Sequence, residues 1–273
     1  MDSSTTVHAA GTLLHVDDTG EPDLPPIVCL HSLFFDNRMF DQFTRAAASM
    51  FRVIRPDYRS QGRSAAADGG VVTVDQCAGD IAALMDSLQV SHAHLLGTSM
   101  GGDIGLRLAV NRPDLVRSMA LLGSSARAEP ADKVAAFMGL ADEFEEHGFT
   151  GERLDFMLQV MFGASTLGNP AMKETVELWK QRMAELPATL KPAIVGVIKR
   201  RDATAMLPDV RVPALVISGE ECPVRPPEWA RGLADGLPDS ELVMLPKVGH
   251  SPILEAPDAV IPRVLDFFAV HNA

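Results

Sequence analysis

Six apolar-rich runs punctuate the chain: IVCLH (27–31), FRVIRPD (51–57), AHLLG (93–97), SMALLG (118–123), PALVISG (213–219) and ELVMLP (241–246). Short, nearly continuous runs bounded by turn residues predict strands buried on both faces of a parallel sheet. Between them, apolar residues recur at helical spacing around 39–50, 74–88, 100–111, 227–236 and 257–269. Strand alternating with helix predicts an α/β fold, a mostly parallel sheet with helices on both faces. The opening TTVHAAGTLLHVDDTG alternates weakly and turns at Ala10-Gly11, which predicts a hairpin and brings the expected sheet to eight strands.

One segment breaks the alternation. From 130 to 207 no strand pattern occurs, only amphipathic stretches such as KVAAFMGLADEFEEHG and MKETVELWKQRMAEL. The expected organisation is therefore a core of residues 1–129 and 208–273 carrying a helical cap, 130–207, inserted between two core strands. The cap is rich in methionine and holds Trp179, which suits an adaptable apolar surface as well as an ordinary helical interior.

Composition narrows the partners. The 273 residues carry a formal charge of −12, which disfavours nucleic acid and anionic membranes. No apolar run approaches the roughly 18 residues a membrane-spanning helix needs. The first residues have neither a basic flank nor an apolar core, so no signal peptide is expected. Three scattered cysteines, Cys29, Cys77 and Cys222, fit free thiols in a reducing, cytoplasmic setting. No spacing of His, Cys or acids suggests a metal, and no cofactor is expected.

The chemistry concentrates in HLLGTSMGGDIGLRLA, where a strand pattern runs through Gly97-Thr98-Ser99-Met100-Gly101 into a helix. A nucleophile on so tight a turn sits in a strained backbone conformation, and its neighbours two residues away must be small. Ser99 is the candidate nucleophile. A serine hydroxyl needs a base, and of eight histidines His250 is the best placed, in a polar turn between the last strand and the last helix. His31 ends a buried strand and is expected to order the neighbouring loop. A developing oxyanion needs backbone donors. Met100 supplies one, and the loop in LHSLFFDNRMFD supplies the other at Leu33. Phe34 and Phe35, with Met39 and Phe40, are expected to wall the substrate pocket.

Together, His31-Ser32, DYRSQGRS (57–64), GTSMGG (97–102), the helical insertion and GHSPILEAPDAV (249–260) resemble the α/β-hydrolase superfamily over nearly the whole chain. HSLFFDNRMFDQF with GTSMGG resembles its 3-oxoadipate enol-lactonase and small carboxylesterase branch. The resemblance implies a Ser-acid-His order, a cap built from the insertion, and no cofactor. It also exposes a departure. The family pattern Gly-Glu-x-Asp-x-x-x-Pro falls on Gly219 to Pro226, and its Asp falls on Cys222.

Three readings of that departure stand. A nearby carboxylate replaces the acid, with Glu221 adjacent and Glu129 after the preceding strand. Alternatively, Cys222 itself partners His250 as a thiolate, which requires a lowered pKa. In the third reading the site is weakened or altered, through drift or deliberate substitution. The leading functional expectation is a serine hydrolase of a carboxylic ester or lactone, working through an acyl-enzyme on Ser99. Carbon–carbon bond hydrolysis, acyl transfer and perhydrolysis use the same site, and a non-catalytic ligand-binding homologue is the rival class. The expected partner is a small apolar molecule.

Overall fold

The computed structural model describes residues 3–272; residues 1, 2 and 273 of the expected core lie outside the described residues. Eight strands are present: β1 (Ser3–Ala9), β2 (Thr12–Asp18), β3 (Pro26–Leu30), β4 (Arg52–Pro56), β5 (Ala93–Thr98), β6 (Val116–Leu122), β7 (Ala214–Gly219) and β8 (Ser240–Leu245). They form one sheet in the order β1-β2-β4-β3-β5-β6-β7-β8. β1 pairs antiparallel with β2 through the turn at Ala10-Gly11, and β2 pairs antiparallel with β4. Every later pairing is parallel.

The central strands owe their continuous apolar character to burial on both faces. β5 and β7 are buried along their whole length, whereas β8, at the sheet edge, is partly exposed. Helices α1 (Asp41–Ala47), α2 (Val74–Ser87) and α3 (Met100–Asn111) connect the first parallel strands. The regular structure between β6 and β7 is all helical, with α4 (Ala131–His147), α5 (Glu152–Met161), α6 (Ala164–Leu167), α7 (Lys173–Ala184) and α8 (Lys191–Ile198). The chain closes with α9 (Pro227–Gly236), α10 (Pro252–Glu255) and α11 (Pro257–Val270). Among the described residues, no helix is long and apolar enough to cross a membrane.

The sequence expectation of a helix over 39–50 is shortened by tertiary geometry. Residues 37–40 form a tighter 3-10 turn capped by Asp36, and α1 ends at Ala47 before Phe51 turns into the core. Asp57 organises the loops beyond β3 and β4. Its fully buried carboxylate accepts from the amides of Asn37 and Arg63, at 2.9 Å each. His31 packs its ring 4.2 Å from that of Tyr58, and its Nδ1 lies 2.9 Å from Ser32 O. This fixes the start of the loop that carries Leu33.

Candidate active site

Strand β5 delivers Ser99 at its carboxyl end, the edge at which open α/β sheets bind ligands. The residue has φ +51° and ψ −112°, a conformation L-residues rarely adopt. The turn holds because both flanking glycines are obligatory. A Cβ on Gly97 would lie 2.7 Å from Gly101 O, and one on Gly101 would lie 1.9 Å from Leu30 O. The amide of Ser99 donates to Leu122 O on β6 at 2.8 Å, anchoring the strained residue to the sheet.

His250 arrives from the loop after β8. Its Nε2 lies 2.8 Å from Ser99 Oγ, and its Nδ1 lies 3.2 Å from Cys222 Sγ, which also accepts the Arg225 amide at 3.2 Å. All three side chains are buried. The geometry therefore puts a thiol at the histidine's second nitrogen. Burial pushes the Cys222 thiol up to about 11, against smaller lowering from the Arg225 and Val224 amides, so Cys222 is protonated at neutral pH. Burial, followed by the cationic Arg225 and Arg200, pushes His250 down to about 3. The chain Ser99–His250–Cys222 is thus electrically neutral.

Neutrality has a consequence for the imidazole. A carboxylate only accepts, so it fixes the proton on Nδ1 and leaves Nε2 free to take the serine's proton. A thiol both donates and accepts. If its S–H points at Nδ1, the ring proton moves to Nε2, where it faces Ser99 and cannot serve a base.

The carboxylates named from sequence as alternative acids are committed elsewhere. Glu221 accepts from the Ser165 amide (2.7 Å) and hydroxyl (2.6 Å), donors that lower its pKa and turn it toward α6. Glu129 Oε1 accepts from Arg200 Nη1 (2.7 Å) and Arg225 Nη1 (3.1 Å). Sequence reasoning missed the network behind this: Arg200 and Arg225 also flank Asp103 Oδ2, at 3.3 and 3.4 Å. Four buried or half-buried charges, two of each sign, hold together α3, the loop after β6, the end of the insertion and the loop after β7. Nothing in the spacing of Asp103, Glu129, Arg200 and Arg225 marks them as neighbours.

Glu255 was missed as well. Its Oε1 accepts from the Ser251 amide (2.8 Å), and its Oε2 accepts from the amides of Gly249 (2.9 Å) and Gly163 (2.8 Å) and from the Thr166 hydroxyl (2.6 Å). One carboxylate therefore grips both residues beside His250 and ties them to the insertion. Ser251 Oγ adds a bond to Met161 O at 2.7 Å. The strands of chain cross so closely here that a Cβ on Gly249 would lie 2.1 Å from Gly163 N.

A cavity of about 130 Å³ opens onto Ser99 and His250. Ser32, Leu33 and Phe34 line it from the core, and Phe144, Phe149 and Met157 from the insertion. Phe35 corrects the sequence expectation. With Phe34 at φ +70°, the two successive side chains diverge. Phe34 meets Phe149 at the cavity, 5.2 Å between ring centroids. Phe35 instead packs on Trp179, at 4.7 Å, and is not part of the wall. Met39 and Phe40 are likewise core residues rather than lining. Met100 also stays out of the wall as a side chain; its sulfur lies 3.6 Å from Gln61 Nε2. The groups of at least three His, Cys, Asp or Glu side chains that hold metals are absent among the described residues.

Comparison with known proteins agrees with this architecture. A thermophilic esterase from Thermogutta terrifontis superposes with a TM-score of 0.89 at 27% identity, covering 100% of both chains. The enol-lactonase from Burkholderia xenovorans LB400 gives 0.88 at 28% identity, covering 97% of this chain and 100% of that one. Rhodomycin D methylesterase DauP of Streptomyces sp. (strain C5) is 29% identical over 259 residues, 85% of this chain and 87% of its own. The family model described as "Alpha/beta hydrolase family" matches residues 27–263, and the chain belongs to that family.

Proposed function

We propose that the protein is a serine hydrolase of carboxylic esters or lactones. The observation that carries the reading is the 2.8 Å contact between His250 Nε2 and the oxygen of a serine held at positive φ on a strand-to-helix turn. That strain is stored where chemistry needs the hydroxyl exposed and aimed. The esterase and enol-lactonase named above support the same branch.

In the proposed reaction the substrate carbonyl sits in the apolar cavity over Ser99. His250 takes the proton from Ser99 Oγ as the oxygen attacks, and a tetrahedral oxyanion develops. The amides of Leu33 and Met100 donate to it, the second of them at the positive end of α3. His250 then gives its proton to the departing alkoxide, leaving an acyl-enzyme, and water repeats the cycle through the same base. Cys222 sits where an acid would hold the imidazolium, but a neutral thiol offers little charge to hold it with. Residues 130–207 act as the cap that closes the cavity.

The wholly neutral Ser99–His250–Cys222 chain favours one second reading: a ligand-binding homologue of the same fold, with little or no turnover. A fluorophosphonate probe separates the two, because labelling requires an activated serine. Labelling of the native protein that is lost in Ser99→Ala supports the hydrolase. A native protein that resists the probe, yet binds small esters, supports the receptor.

A further inference from the structure

Apart from Ser32 and the catalytic residues, the wall of the cavity is polar at one corner, formed by Glu129 and Arg225. At that corner both arginines use the same oxygen. Arg200 Nη1 and Arg225 Nη1 donate to Oε1 of Glu129, and among the described residues no hydrogen bond reaches Oε2. The Glu129 side chain is 11% exposed and the Arg225 side chain 4%, so the pair belongs to the cavity wall rather than to bulk solvent. The lone pairs of Oε2 are therefore open to a donor from a ligand in the cavity.

We propose that Oε2 of Glu129 is the specificity-determining acceptor for a hydroxyl carried by the substrate, which is then an ester or lactone with a mainly hydrocarbon skeleton and a hydroxyl away from the scissile carbonyl. This rests on the hydrolase reading for its chemistry. The hydroxyl is favoured over a charged group because the corner is electrically balanced, Arg200 and Arg225 against Asp103 and Glu129. A substrate carboxylate meets the lone pairs of Oε2, and an ammonium loses its hydration to hydrocarbon walls with only one oxygen to receive it. A hydroxyl loses little water and donates to Oε2, whereas the unpaired Nε of Arg225 and Nη2 of Arg200 behind it are buried. Sites built to bond a substrate hydroxyl discriminate strongly against the analogue without it.

The test uses nitrophenyl esters of straight-chain acids ending in methyl, hydroxyl, methoxy or carboxylate, over a range of chain lengths. At the best length the native protein is expected to favour hydroxyl over methoxy by about 10-fold or more in kcat/KM. Glu129→Gln sharpens this. The two arginines retain the amide oxygen, which turns the amide N–H₂ toward the cavity and replaces an acceptor by a donor. The hydroxyl-over-methoxy ratio should fall at least several-fold in that variant, with the melting temperature confirming that it folds. A native protein with no hydroxyl preference at any length overturns the inference without any variant, and so does a ratio unchanged in Glu129→Gln. Methyl ketones with the same four chain ends, titrated by calorimetry, keep the two readings apart. Binding that favours hydroxyl with no ester turnover removes the hydrolase and leaves the role of Glu129. Turnover of all the esters alike removes Glu129 and leaves the hydrolase.

Discussion

The two sides of the His250 ring face different chemistry. On the Nε2 side stand a strained serine, two glycines without which the turn cannot close, and a donor–acceptor distance of 2.8 Å, the features on which the proposed attack rests. On the Nδ1 side stands a neutral thiol, in the position the proposed reading gives to an acid. Cys222 takes the Arg225 amide and sits 3.2 Å from the ring, but its thiol is pushed up to about 11. Geometry and charge are therefore separable here, and the contrast isolates what the charge alone contributes.

Cys222→Asp is the largest expected break in that contrast. A carboxylate in this slot accepts from the Arg225 amide and from Nδ1–H, fixes the working tautomer and stabilises imidazolium. Turnover of nitrophenyl acetate should rise by roughly 10²-fold or more, since loss of the acid in other serine hydrolases costs about 10⁴-fold. Unchanged or lower turnover in the variant would place the acid function elsewhere.

The pH profile sharpens the same comparison. In the native protein His250 is pushed down to about 3, so the neutral base persists far into the acid range and kcat/KM should stay level between pH 7 and 5. An anion at position 222 favours the charged ring and raises its pKa. The acid limb of the Cys222→Asp profile should therefore move up in pH, with the variant faster at pH 7 but losing a larger share of its rate on acidification. Superimposable limbs would mean that the residue at 222 does not govern the histidine.

Much of this was legible in the sequence, and the reason differs by region. The Ser99 turn is written in local spacing, because its sterics involve residues within two positions of the serine and one strand beside it. The parallel strands are legible because burial on both faces leaves continuous apolar runs. The commitments of the glutamates are not. Glu221 is adjacent to Cys222, yet its carboxylate reaches Ser165, 56 residues back in the chain, and Glu129 is claimed by Arg200 and Arg225. Proximity in sequence said which acids were available, and only tertiary packing decides which are already occupied. Phe34 and Phe35 teach the same point on the scale of one residue, since a single positive φ sends adjacent side chains to different surroundings.

Glu255 and Glu221 make the finer comparison, because both bind the insertion but only Glu255 also binds the amides that flank His250. Glu255 does not line the cavity, so any effect on the proposed reaction is expected to act through the loop, as a positioning residue. Glu255→Gln keeps one acceptor and introduces an N–H₂ among the donors of Gly163, Thr166, Gly249 and Ser251, so kcat should fall by about 10-fold while KM changes little. An equal loss in kcat and KM, or none in either, would remove the positioning role.

Glu221→Gln is expected to do least. Its carboxylate is satisfied by Ser165 and lies outside the chain Ser99–His250–Cys222, so an amide that keeps one of those bonds should leave kcat within about 2-fold and the melting temperature nearly unchanged. The small effect is informative because Glu221 is the carboxylate nearest to Cys222 in sequence. If Glu221→Gln instead removed most of the activity, the carboxylate would have to leave Ser165 and reach Nδ1 during turnover. The rise expected for Cys222→Asp would then shrink, since an acid would already be serving the histidine. Measured together, the two substitutions decide whether the Nδ1 side of the ring works with a thiol or with a borrowed carboxylate.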